Sequence, residues 1–86
     1  MKIQMCDGEN TVVMDWREHD MEQDRVYIRC ATDDPAPVYT MIGRLVVVSA
    51  DHYMMTMMLA SIETTDEPDE YIIAGRIYED ETGETK

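Results

Sequence analysis

Phenylalanine is absent from this 86-residue chain, and bases, cysteines and glycines are scarce. Seven bases stand against 19 acids, a formal charge of −12. Phosphate and anionic headgroups repel such a surface, so direct nucleic-acid binding and membrane attachment are not expected. Long apolar runs are also missing. The best of them, Leu45–Val48 and Met54–Ala60, fall far short of the ~20 residues of a membrane-spanning helix. No apolar stretch follows Met1-Lys2, so no signal peptide is read. The expected location is cytoplasmic, in a host cell if the protein is phage-encoded. Two cysteines are too few for a disulfide scaffold. Spacing alone does not exclude a Cys6–Cys30 pair, but both thiols are expected to be reduced. The four glycines stand singly, so none builds a phosphate-cradling loop. The chain is too short for two cores.

What is present points to a folded chain. Hydrophobic residues reach 44%, more than a disordered acidic tail carries. One compact unit over 1–78 and an acidic polar tail over 79–86 are expected. Nine methionines take the place of phenylalanine. The ring-bearing anchors are Trp16, Tyr27, Tyr39, Tyr53, Tyr71 and Tyr78. Methionine fills irregular gaps, so the core should be soft, with Met54, Met55, Met57 and Met58 among its fillers.

Alternation over the first six residues predicts a short strand with Ile3 and Met5 on one side. Asp7-Gly8 is a hairpin signal, and Thr11–Trp16 reads as the return strand. Arg17–Asp24 is almost wholly polar and reads as a loop or the end of a polar helix. Arg25–Thr32 is the clearest strand, with Val26, Ile28 and Cys30 on one face. Pro35 and Pro37 break the pattern. Val38–Ser49 reads as one long strand with a bend at Gly43.

Met54–Ile62 suits a helix by propensity and a strand by its position after the turn at Ala50–His52. An echo at an offset of 32 favours the strand: Thr32–Leu45 aligns without gaps with Thr64–Ile77, matching Tyr39 with Tyr71 and Gly43-Arg44 with Gly75-Arg76. Tyr71–Tyr78 is then the last strand. The predicted fold is all-β or β-dominated: a small antiparallel meander of five to six strands, a curled sheet or a small barrel.

Between residues 25 and 78 the chain resembles the Sm family of small RNA-binding barrels. Gly43-Arg44-Leu45 is similar to that family's bent second strand. Asp51-His52-Tyr53-Met54 is similar to its Asp-x-x-Met motif, and Ile73-Ala74-Gly75 to its Ile-Arg-Gly. The RNA-contacting Asn and Arg of the family are replaced here by Met55 and Ala74. The resemblance therefore implies a barrel-like shape without RNA binding.

No catalytic constellation is evident, and neither enzyme activity nor a cofactor is expected. Asp15, Glu18, His19, Asp20, Glu22 and Asp24 form a dense acidic cluster. It lacks the spacing and central glycine of a calcium loop and any zinc motif, so it reads as a solvated face. His52 beside Asp51 reads as a turn histidine. The distribution of acids is more informative. Small domains usually carry a net charge of magnitude about 2–8, so −12 exceeds the needs of solubility. Alternate side chains on a strand lie roughly 6.6 Å apart, comparable to neighbouring phosphates. Asp33 and Asp34, with Glu63, Asp66, Glu67, Asp69 and Glu70, are the candidate partner-binding residues, because neither segment contains a base.

The expected function is that of a small acidic protein that binds a basic, nucleic-acid-binding protein. Its sharpest form is a phage-type inhibitor that mimics nucleic acid, aimed for example at a CRISPR effector, a restriction enzyme or a polymerase. The alternative is a structural or assembly subunit of small-barrel type that exposes a strand edge. A metal-binding or catalytic role for the Asp15–Asp24 cluster is a third class.

Overall fold

Alternation of buried and exposed side chains runs through nearly every segment, and the computed structural model, which describes residues 1–51 and 53–80, turns it into six strands. They are β1 (Lys2–Cys6), β2 (Thr11–Glu22), β3 (Arg25–Ala31), β4 (Leu45–Ala50), β5 (Tyr53–Thr64) and β6 (Glu70–Asp80). Among the described residues the one helix is a single turn, α1 (Ala36–Tyr39), between β3 and β4. The strands close into an antiparallel barrel in the order β1-β2-β3-β6-β5-β4. Each half of the chain is a three-stranded meander. The meanders are joined by β1 against β4 (Met5 opposite Val48) and by β3 against β6 (Ile28 opposite Ile73).

The expected β-dominated small barrel is the observed fold, with several local corrections. Arg17–Asp24 is neither loop nor helix: β2 continues to Glu22, and the chain reverses at Gln23–Asp24 with Gln23 at φ +59°. Its polarity misleads because this half of β2 is exposed on both faces, so no buried row marks it as a strand. Val38–Ser49 is not one strand. Pro35 and Pro37 cannot donate to a ladder, and a helical turn accepts proline in its first positions. Val38 and Met41, three apart, then share a face and are buried. Gly43 is not a bend within a strand but a turn residue at φ +88°, just before β4. Its N–H donates to the Leu59 carbonyl at 2.8 Å, and the Leu59 N–H donates to the Arg44 carbonyl at 3.1 Å, tying the turn to β5.

The strand reading of Met54–Ile62 is right, and β5 extends it at both ends. The Asp7–Asn10 hairpin forms as expected. Asp7 Oδ1 accepts the N–H groups of Glu9 and Asn10, each at 2.8 Å. β6 runs two residues past Tyr78 into the acidic stretch, and the rest of that tail lies outside the described residues.

Methionine does fill the core. Met5, Met14, Met41, Met55 and Met57 pack with Ile3, Val26, Ile28, Val46, Val48, Leu59 and Ile73. Strand alternation overrules the expectation that all four methionines of β5 are buried: Met54 and Met58 face outward and are exposed. Gly75 sits where β6 crosses the bulged part of β5, opposite Leu59. A Cβ there would collide with the backbone carbonyl of Met58 and the Met57 methyl. Both cysteines are free thiols. Cys30 is sealed in the core, and burial pushes its thiol up to about 12.

Candidate functional site

The ladder between β3 and β6 decides where the candidate acids sit. Ala31 lies opposite Glu70, so the loop leaving β3 and the loop entering β6 emerge side by side at one end of the barrel. The Thr32 N–H donates to the Asp69 carbonyl at 2.9 Å and locks the two loops together. Asp69 takes the left-handed conformation, φ +62°, that lets the chain turn into β6.

The two loops also share a local design. Thr32-Asp33-Asp34-Pro35 and Thr65-Asp66-Glu67-Pro68 each begin with a threonine whose hydroxyl accepts an N–H two residues on. The distances are 3.2 Å from Asp34 and 3.0 Å from Glu67. The likeness is therefore at an offset of 33, not the 32 that aligned Thr32–Leu45 with Thr64–Ile77. That longer echo has no structural counterpart. Tyr39 lies in α1 whereas Tyr71 lies in a strand, and Gly43 turns the chain whereas Gly75 sits inside β6. The Thr-Asp-acid-Pro tetrapeptide was the signal to follow.

Asp33, Asp34, Asp66, Glu67 and Asp69 are all exposed. Glu63 is exposed on the outer face of β5, five positions before Pro68. Glu70 differs from the rest. It is buried beneath Arg29, whose guanidinium reaches it at 3.3 Å, and it accepts the Thr65 hydroxyl at 2.8 Å. Arg17 approaches its other oxygen at 4.0 Å. Glu70 therefore holds the loop in place instead of facing solvent. A hollow beside the loops is lined by Asp33, Asp69 and Pro68 together with Lys2, Asp15 and Arg17.

The bases are largely consumed within the barrel. Lys2 binds Asp15 at 2.7 Å, Arg76 binds Asp24 at 2.6 Å, and Arg44 bridges Asp7 and Glu9 at 3.1 and 3.3 Å. The Lys2 bond lowers the Asp15 pKa, and the Arg76 bond lowers that of Asp24. At Asp7 the two hairpin N–H groups lower it most, and Arg44 adds to them. Arg17 and Arg29 are held by Glu70, with Glu18 also on Arg29. None of these pairs involves an acid of the Asp33–Asp34 or Asp66–Asp69 loops.

The Asp15–Asp24 cluster is spread along β2. Glu18, Asp20 and Glu22 lie on its outer face, and Asp15 and Asp24 belong to the pairs above. Among the described residues no three acidic, histidine or cysteine side chains converge as a metal site would need. His52 lies outside the described residues.

A second feature was not foreseen. Between β2 and the β4–β5 turn lies a pocket of about 300 Å³ lined by Ile3, Trp16, His19, Ile28, Ala50 and Tyr53, with Met1 and Asp51 at its margin. The β1–β2 ladder reaches as far as Lys2 opposite Asp15 and the β1–β4 ladder as far as Gln4 opposite Ser49, and among the described residues the second half of β2 has no ladder to β4. A bulge between Trp16 and Glu18 puts Trp16 and the exposed His19 on one side of β2, opposite Cys30 and Ile28. The His19 ring stacks on Trp16 at 5.5 Å and on Tyr53 at 5.7 Å, a continuous row of three rings from β2 to β5. This pocket was hidden because the stretch holding His19 did not read as a strand.

The rest of the outer surface divides by charge. On β1, β4, β5 and the start of β2, the outward residues Gln4, Cys6, Val13, Leu45, Val47 and Met58 carry no charge, and the charged ones there are the Lys2–Asp15 pair and Glu63. The outer face of β3 and the second half of β2 carries Glu18, Asp20, Glu22, Arg25 and Arg29.

Comparison with family models, with curated proteins and with solved structures finds no match to this chain. Of the Sm resemblance, the barrel shape is present, but Gly43 precedes β4 instead of bending a strand, and Asp51 lies in the turn between β4 and β5.

Proposed function

We propose that this protein is a small acidic interaction protein that binds a basic protein surface, one that itself binds nucleic acid, through the paired loops Asp33–Asp34 and Asp66–Asp69. One observation carries the reading. The β3–β6 ladder gathers five exposed carboxylates at one end of the barrel, and the ion pairs of Lys2, Arg17, Arg29, Arg44 and Arg76 engage other acids, those of Arg17 and Arg29 being with Glu70 at the base of the same loop. Carboxylates free of direct ion pairs, although Lys2 and Arg17 line the hollow beside them, would present a phosphate-like array. They would accelerate association with a lysine- and arginine-rich groove, screened over a Debye length of about 8 Å at physiological salt. Inhibition by occupying such a groove, as a phage-type inhibitor does, is the function this surface suits.

The test is capture from a bacterial lysate at low and high salt, then binding of the captured protein to a variant with Asp33, Asp34, Asp66 and Asp69 changed to Asn and Glu67 to Gln. Glu70 is left intact because it holds the loop. The expected result is a loss of affinity of about tenfold or more, a weaker salt dependence and competition by nucleic acid. Unchanged affinity with the fold intact would overturn the assignment, and a partner without a basic groove would overturn the mimicry.

One observation favours the assembly reading as well, in altered form. Closure leaves no edge strand among the described residues, so strand-edge pairing is not the route. The outer face of the β1–β4 seam, where Gln4 and Cys6 lie beside Ser49 and Val47 with Lys2 at its border, would be the contact, because copies of charge −12 meet there with few opposing like charges. A concentration-dependent dimer mass would support that reading, and a monomer at high micromolar concentration would remove it.

A further inference from the structure

We propose that the pocket between β2 and the β4–β5 turn binds a small, flat aromatic molecule of one or two fused rings. This goes beyond the acidic loops, which lie at the other side of Trp16 along β2, and does not depend on them.

Size comes first. At about 300 Å³ the space lies at the lower end of natural ligand pockets and exceeds the roughly 150 Å³ of an apolar cavity that takes up benzene. A one- or two-ring molecule fits, and a larger cofactor does not. Polarity comes second. Ile3, Ile28 and Ala50 offer no hydrogen-bonding side chain, Tyr53 directs its hydroxyl to the Met55 sulfur at 3.0 Å, and the polar groups of the lining are the Trp16 indole N–H, the His19 imidazole and the Asp51 carboxylate. Water gains little in such a space, whereas an apolar molecule loses none of its contacts on entering.

Shape comes third. The row Trp16–His19–Tyr53 has interplanar angles of 30° and 24°, so its rings present nearly parallel planes. A flat ring gains stacking or edge-to-face contact there, which a puckered saturated ring of equal size does not. Charge comes last. The exposed Asp51 at the margin and the field of a −12 molecule disfavour an anionic ligand.

Trp16 is the only tryptophan and lines the pocket, so the native protein reports its own occupancy. The neutral fluorophore N-phenyl-1-naphthylamine should brighten on binding and accept energy from Trp16. Naphthalene should displace it, and decalin, the saturated molecule of the same ring count, should displace it about tenfold less well. Naphthoate should be weaker than naphthalene. Ala50→Leu, which fills the pocket, should abolish uptake. His19→Ala, at an exposed position, should keep the barrel and erase the preference for naphthalene over decalin. The proposal is overturned if no probe binds up to its solubility limit. It is equally overturned if binding occurs without energy transfer from Trp16, or if decalin competes as well as naphthalene in the unmodified protein.

Discussion

At the scale of single residues, two positions carry more than their chemistry suggests. Gly75 lies inside a strand, where glycine ordinarily weakens the ladder. Here the crossing of β6 over bulged β5 leaves no room for a methyl group, and the nearest obstacle is backbone, which does not step aside. Gly75→Ala should cost about 1–3 kcal/mol, read from the urea midpoint at unchanged slope. Glu70 was grouped in the sequence with Asp66, Glu67 and Asp69, yet it alone is covered by arginine and tied to Thr65. Glu70→Gln keeps the shape but removes the charge beneath Arg29. It should destabilise by about 1–3 kcal/mol, whereas Asp66→Asn and Glu67→Gln should change stability by less than about 0.5 kcal/mol. Thermal unfolding of the three variants side by side checks the contrast.

At the scale of elements, the segment between the meanders was the hardest to read. Val38, Met41 and Val46–Val48 look like one β-branched and apolar run, and strand propensity does not distinguish a residue that plugs a barrel from one that lines it. The prolines gave the break but not its form. Met41→Ala should cost about 2–5 kcal/mol although Met41 belongs to no strand, because its side chain is wholly buried beside Val38. Guanidinium unfolding measures this directly.

Strands with one apolar face, such as β1 and β3, were legible from alternation alone. The second half of β2 was not, because beyond the bulge both of its faces are exposed and Met21 is the one apolar residue, which gives no period. The acidic loops were legible as charge, but their juxtaposition was not. It follows from the Ala31–Glu70 register, a contact between distant parts of the chain.

At the scale of the whole molecule, the charge of −12 and the paired acids act in opposite directions as pH falls. Asp7, Asp15 and Asp24 have folded pKa values below their ordinary ones. Their contribution is present above about pH 4 and is lost as pH falls through the lowered values. Protonation of the other carboxylates meanwhile relieves repulsion. Stability should therefore hold or rise slightly from pH 7 to about 5 and fall steeply below about 4. At pH 7, added sodium chloride should raise the melting temperature by screening like charges. A melting temperature lowered by salt would mean that the ion pairs outweigh the repulsion.

The closure of the barrel has a consequence in time. The hairpins β1–β2, β2–β3, β4–β5 and β5–β6 join neighbours in sequence and form by local search. The two seams, β1 to β4 and β3 to β6, join residues 39 or more positions apart, as in Met5 with Val48 and Ile28 with Ile73. Chain entropy is spent on those seams before their contacts repay it, which places folding in the millisecond-to-second range typical of non-local β topologies. Until they shut, each meander exposes its methionine-rich inner face and two unpaired edges. The charge of −12 then has an effect before folding is complete: like charges on unfinished copies repel, which opposes pairing of their open edges.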